Sequence, residues 1–199
     1  MKAKNPFIRQ QLIHIATEKF LENGYERTSM AQISATFGGS KTTLYTHFPK
    51  KEKIFLAVVE KLAREKVENA FSDLALEGMI RDALIGFGEK YLSVICSKEI
   101  LSIFKMGIEE RGRSQVGHLL YSFGPKICRK RISNFFNDKK NKGIIKECDT
   151  NVAAIHYIRL IESDITELFL LGIKGEPSED EIKESVRLGV DVFLSAYLN

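Results

Sequence analysis

Thr28-Ser29-Met30-Ala31-Gln32-Ile33-Ser34-Ala35-Thr36-Phe37-Gly38-Gly39-Ser40-Lys41-Thr42-Thr43-Leu44-Tyr45-Thr46-His47-Phe48 is the stretch on which the fold turns. It predicts two short helices joined by a glycine turn. Ser29 and Gln32 have the capping-box spacing that opens a helix, with Met30, Ile33, Ser34 and Phe37 as its inner side. Gly38-Gly39 supplies the turn, where only glycine takes a positive φ without strain. Ser40 caps the second helix, Pro49 stops it, and Leu44 and Phe48, four residues apart, must point inward. The rest of that helix carries Lys41, Thr42, Thr43, Tyr45 and His47, side chains suited to phosphates and base edges. A helix-turn-helix of this form places its second helix in the DNA major groove. The expectation is therefore binding of double-stranded DNA.

Flanking residues extend the pattern. Pro6 can open a first helix, because a helix N-terminus does not need the missing N–H. Ile8, Leu12, Ile15, Ala16, Phe20 and Leu21 follow at helical spacing up to Asn23-Gly24. After Pro49 a long helix is predicted from Lys50 to about Asp73, with Ile54, Phe55, Val58, Val59, Leu62, Val67 and Phe71 as its apolar stripe. From Gly78 onward the chain reads as helical throughout, with candidate helices at 78–96, 98–110, 114–122, 125–142, 150–172 and 179–198. Gly112, Gly124-Pro125, Gly143 and Gly175-Glu176-Pro177 break them. No period-two pattern competes, so the fold class is all-α. An N-terminal three-helix domain over 1–49 precedes a helical bundle over 50–199.

Of 199 residues, 44% are hydrophobic and 28% charged, the profile of a folded globular chain. No apolar run is long enough to span a bilayer, and the first residues, Met1-Lys2-Ala3-Lys4-Asn5-Pro6, lack a signal-peptide core, so a cytoplasmic location is expected. Residues 1–53 hold nine Lys and Arg against four Asp and Glu, a net +5, which leaves −1 for the remainder of a chain whose total is +4. The positive excess lies in the segment with the helix-turn-helix, as a DNA-binding end requires. Cys96, Cys128 and Cys148 are odd in number and widely spaced, and read as small buried hydrophobes rather than a disulfide or zinc set. The histidines do not cluster, and no phosphate-cradling loop, dinucleotide fingerprint or nucleophile elbow occurs. Neither a cofactor nor a metal nor an enzyme activity is expected.

The segment I-x-x-A-T-E-K-F-L-E-N-G-Y-E-R-T-S-M-A-Q-I-S, followed by G-G-S-K-T-T-L-Y-T-H-F-P-K-K-E-K-I-F, resembles the DNA-binding domain of the TetR family of bacterial repressors over roughly residues 13–59. The resemblance implies that Thr28 and Ser29 bind a phosphate through hydroxyls and backbone N–H groups. It implies that Lys41, Thr42 and Thr43, behind their cap Ser40, enter the groove. Tyr45 and His47 would bond flanking phosphates, and Lys51 would add another phosphate contact. Beyond about residue 70 it implies only an architecture, a helical C-terminal domain whose last two helices form a homodimer. The turn departs from the usual Ala-Gly-Val-Ser, reading Phe37-Gly38-Gly39-Ser40, and Gly39 is expected to remove an apolar contact and loosen it. Thr42 stands where glycine is common, which is expected to alter the base sequence read.

The helices expected over 150–172 and 179–198 carry more apolar surface than one bundle buries, which also favours a two-fold dimer. Phe104, Ile108, His118, Tyr121, Phe123 and Ile158 are candidates to line an effector cavity between bundle helices. The basic stretch from Lys126 to Lys146 reads first as a solvated face and second as an anion-binding surface or a second DNA contact. The reading is thus a dimeric DNA-binding regulator, a repressor released from a palindromic operator by a small ligand. The alternative is a small-molecule binding module or enzyme whose activity is independent of DNA.

Overall fold

The computed structural model describes residues 5–75 and 78–199, without the side chains of residues 66, 67, 69 and 75. Residues 1–4 and the Val67 side chain, on which two of the readings above rest, lie outside the described residues.

Eleven α-helices follow one another among the described residues: α1 Pro6–Arg27, α2 Met30–Phe37, α3 Lys41–His47, α4 Lys51–Phe71, α5 Ile80–Ile95, α6 Lys98–Glu109, α7 Val116–Phe123, α8 Pro125–Asn141, α9 Thr150–Glu162, α10 Ile165–Leu170 and α11 Glu179–Tyr197. A short 3-10 turn, Asp73–Ala75, follows α4. The one extended pairing among these residues is an isolated antiparallel bridge between Ile145 and Leu198. The all-α class stands.

Local signals account for most helix ends. Asn5 caps α1 by accepting the Phe7 N–H at 2.9 Å, with proline next to it. Gly24, at φ +79°, interrupts α1 near its end. Ser29 with Gln32 and Ser178 with Glu181 both form complete capping boxes. Asp149 caps α9 through the N–H groups of Asn151 and Val152. That charge-assisted acceptance from two backbone donors, Asn151 first, lowers the Asp149 pKa.

The chain packs as two compact units that do not divide at residue 49. One is Met1–Ala63 with Ser102–Phe123, and the other is Arg64–Leu101 with Gly124–Asn199. The core of the first unit joins Leu12, Ile13, Phe20, Tyr25, Ile33, Leu44, Phe48, Phe55 and Val58 to Ile103, Met106, Val116 and Leu120. Segment 102–123 thus completes the core around the helix-turn-helix. Phe20, Tyr25 and Phe55 form an aromatic trio with centroids 5.0–5.7 Å apart.

The second unit is built on α5, α8, α9 and α11 around Tyr157, Phe87, Phe136 and Phe193, all fully buried. The Tyr157 hydroxyl donates to the Leu84 carbonyl at 2.6 Å, so this polar atom in the core is satisfied. At Gly189 of α11 an added Cβ would stand 2.7 Å from the Leu160 carbonyl and the Ile161 nitrogen. That close approach brings the Ser185 hydroxyl onto the Ile161 carbonyl at 2.8 Å.

The single helix expected over 150–172 is interrupted. Ser163 sits at φ 40°, ψ −135°, the only positive-φ non-glycine among the described residues, and separates α9 from α10. Neither proline nor glycine lies in the run from Thr150 to Leu171. The cause is tertiary: α11 supplies a hydroxyl to a carbonyl that an unbroken helix bonds to its own residue 165.

Candidate nucleic-acid interface

The helix-turn-helix is α2, the Gly38-Gly39 turn and α3. Gly38 adopts φ +72° and returns its N–H to Ser34 and Ala35. At Gly39 a Cβ would lie 2.4 and 2.6 Å from two ring carbons of Phe37. The Phe37 ring therefore fills the volume a side chain at 39 would take. The expected loosening at Gly39 is corrected: the apolar contact is supplied from two residues upstream.

Leu44 is fully buried and Phe48 nearly so, which braces α3 from beneath. Lys41, Thr42, Tyr45 and Thr46 are exposed on its outer side, with Tyr45 at 49%. Thr43 is half-buried; its N–H is bonded by the Ser40 cap at 3.1 Å and its hydroxyl meets that of Ser40 at 2.9 Å. Thr46 was not expected at the surface of interest. Its hydroxyl donates to the Thr42 carbonyl at 2.8 Å, and the residue is exposed. The i, i+4 spacing from Thr42 is the signal that finds it.

Three other expectations change. Thr28 is 1% exposed, and its hydroxyl donates to the carbonyls of Lys19 and Gly24 at 2.9 and 2.8 Å. It ties the end of α1 and is not available to a phosphate. The Ser29 N–H and hydroxyl serve the capping box, at 2.7 and 3.2 Å, so the outward donors at this helix end are the N–H groups of Met30 and Ala31. His47 is buried, which removes it from the surface that a flanking phosphate approaches.

Lys51 is also committed. Its ammonium donates to the carbonyls of Tyr25 and Glu26 at 2.9 and 3.2 Å and stands 4.3 Å from the Tyr25 ring centre. It caps the C-terminal end of α1, where carbonyl dipoles favour a cation. The exposed cations nearby are Lys50 and Lys53. The cluster Lys50-Lys51-Lys53 was legible as charge, but which members face outward was not.

The effector candidates fall on both units. Phe104, Ile108, His118 and Tyr121 are exposed and Phe123 is half-buried, all in the first unit, whereas Ile158 is buried in the core of the second. The second unit buries the carboxylate of Glu162, which accepts the Tyr91 hydroxyl at 3.0 Å and an Arg159 N–H. Burial first, then the Glu162 charge, raises the Tyr91 pKa well above its ordinary value. Burial pushes the Cys96 thiol up to about 11 and the Cys128 thiol up to about 12, so both are neutral packing groups. An open groove of about 630 Å³ runs between α9–α10 and α11, lined in part by Leu160, Ile165, Leu168, Leu188 and Val192.

The basic stretch is neutralised in part. Arg131 makes two bonds to Glu68 and stacks 3.7 Å from the Phe71 ring centre, Lys140 pairs with Glu147, and Lys142 pairs with Asp138. No group of three or more His, Cys, Asp or Glu residues among the described residues could hold a metal ion. No helix there is long and apolar enough to cross a membrane.

Comparison with known proteins agrees with this geometry. Residues 12–58 match the family described as bacterial regulatory proteins, tetR family, and residues 82–199 match the AefR-like transcriptional repressor, C-terminal domain. The fatty acid metabolism regulator protein of Bacillus subtilis (strain 168) is 26% identical over 103 residues, 52% of this chain and 53% of that protein. The chain thus spans about half the length of this curated relative. A structure described as a TetR-family transcriptional regulator from Mesorhizobium loti superposes with TM-score 0.85 at 26% identity, covering 98% of each chain. The flavonoid-responsive regulator FrrA superposes with TM-score 0.82, also at 26% identity and 98% of each chain.

Proposed function

Since this chain belongs to the TetR family of bacterial transcriptional regulators, we propose that it acts as a homodimeric repressor that binds a near-palindromic operator and leaves it when a small molecule binds. The observation that carries the reading is α3: Lys41, Thr42, Tyr45 and Thr46 stand out on a rod fixed by buried Leu44 and Phe48. Lys41 and Thr42 reach base edges, with Thr43 at the rim. Tyr45, Lys50, Lys53 and the N–H groups of Met30 and Ala31 take phosphates. Lys51 and Ser40 act by holding these elements in place.

A second copy of the chain covers the apolar surface of α9–α11. Leu188 and Val192 of α11 are 50% and 54% exposed, and Leu170 and Leu171, at the end of α10, are 51% and 67% exposed. A two-fold pair sets two copies of α3 about 34–36 Å apart, one turn of duplex. An effector inside the second unit shifts operator affinity only as far as it binds the two states unequally, and a coupling of about 1–3 kcal/mol gives a 5–150-fold change. The flavonoid-responsive neighbour makes flavonoids a rational first set for a melting-shift screen.

Selection of bound duplexes from a random pool tests the proposal. The expected product is a two-fold symmetric site whose binding falls with salt, with a slope of about −7 if eight phosphates are neutralised. Equal, weak retention of every sequence would refute it.

A further inference from the structure

One stripe of α1 is buried. Leu12, Ile13, Ala16 and Phe20 lie on it and are no more than 2% exposed. Arg9 precedes Leu12 and Ile13 by one helical turn, so it opens the same stripe. A cation is costly on a buried face unless something receives it. What receives Arg9 is an aromatic ring: its guanidinium carbon stands 5.3 Å from the centre of Phe48. Phe48 is the residue on which α3 ends. The contact therefore brings the first turns of α1 beside the last turn of α3.

The ring holds the guanidinium but uses none of its in-plane donors. The Arg9 backbone N–H is bonded to the Asn5 carbonyl, whereas the side chain makes no hydrogen bond or ion pair among the described residues. Arg9 is half-buried, not enclosed. A planar fork of five N–H donors is thus fixed in place and uncommitted. No Asp or Glu occurs in residues 1–17 or in residues 27–51, so neither the start of α1 nor the helix-turn-helix carries an acid of its own to claim that charge. Tyr45 and Lys50, which flank Phe48 in the chain, are both exposed. Arg9 adds a third phosphate-binding group at this end of α3.

We propose that Arg9 is a DNA-binding residue: with α3 in the major groove, its guanidinium takes the backbone phosphate that flanks the Phe48 end of α3, once in each half-site. The inference rests on the DNA-binding function proposed above and extends the interface to a helix outside the helix-turn-helix. A guanidinium meets two phosphate oxygens with two parallel N–H bonds, a geometry that an ammonium cannot copy. Stacking on Phe48 orients the fork before DNA arrives, which reduces the freedom lost on binding. The contact reads no base. It fixes the register and angle at which α3 enters the groove.

The test uses the full chain, the duplex it selects and a titration of salt. The two copies of Arg9 in a dimer account for two of about eight neutralised phosphates. Arg9→Gln should move the slope of log K against log salt from about −7 to about −5, with similar losses on every sequence in the selected pool. Between about 50 and about 200 mM salt the native advantage should shrink about twelvefold, from a slope difference of about 1.8 over a fourfold change in salt. Arg9→Lys keeps the charge and should keep the native slope. Arg9→Met covers the Phe48 ring without a charge and should behave as Arg9→Gln does, so a folding defect in one leaves the other to decide. Weaker binding with the native slope would mean that Arg9 only packs on Phe48, and native affinity in both uncharged variants would mean that it takes no phosphate; either result overturns the proposal. Failure of the native chain to select any duplex would appear before any variant is made, and would fall on the DNA-binding function itself.

Discussion

The Phe37–Gly39 pair allows a sharp test of how this turn differs from Ala-Gly-Val-Ser. Gly39 lies outside the left-handed region, so a side chain there is not strained by its backbone. What opposes it is the Phe37 ring, whose carbons would stand 2.4 and 2.6 Å from the new Cβ, about 1 Å or more inside the usual contact distance of about 3.5–4.0 Å. The Gly39→Val change must push this half-buried ring aside. Overpacking of this kind destabilises by about 1–3 kcal/mol. Replacing glycine also restricts the unfolded chain, which returns about 0.4–1 kcal/mol. Gly39→Val alone should therefore lower stability by about 1–2 kcal/mol. In the Phe37→Ala background the obstruction is gone and the sign should reverse, with the valine neutral to stabilising. The coupling expected in a urea-denaturation cycle is about 1–3 kcal/mol. If Gly39→Val were equally destabilising in both backgrounds, the ring would not be what occupies that space.

Two further outcomes follow from packing and capping. Gly189→Ala should destabilise by about 3 kcal/mol in the same assay, because the Cβ would meet the α9 backbone, which cannot swing away. Asp149→Ala should destabilise the chain at neutral pH, and the gap from native should narrow in acid. The folded pKa of Asp149 is lowered, so its contribution is present above the unfolded value of about 3.9 and is lost as pH falls through the folded pKa. A gap constant between pH 7 and pH 2 would mean that the charge on this cap is irrelevant.

The helix ends were legible wherever a local signal made them. Capping boxes at Ser29–Gln32 and Ser178–Glu181, proline at the start of α1 and α8, and glycines at 38, 112 and 143 all act within a few residues of themselves. The break at Ser163 was not legible, because its cause sits on α11, beyond reach of any local pattern. The same holds for the interface. Exposure of Lys41, Thr42 and Tyr45 follows from helical periodicity once Leu44 and Phe48 face inward. The fates of Thr28, His47 and Lys51 depend on carbonyls and core packing contributed by other helices. Gly39 was misjudged because its missing side chain was considered alone, when Phe37 two positions earlier makes up the volume.

Ile103, Met106, Val116 and Leu120 belong to the core around α1–α4, although about forty residues of the other unit intervene in the chain. During synthesis the N-terminal helices emerge first and wait with an open apolar flank. At about 5–20 residues per second, the sixty or so residues from Val59 to Leu120 take about 3–12 s to follow. A nascent chain shorter than that holds an unfinished reading head, and a gene fragment cut after α4 would encode one permanently.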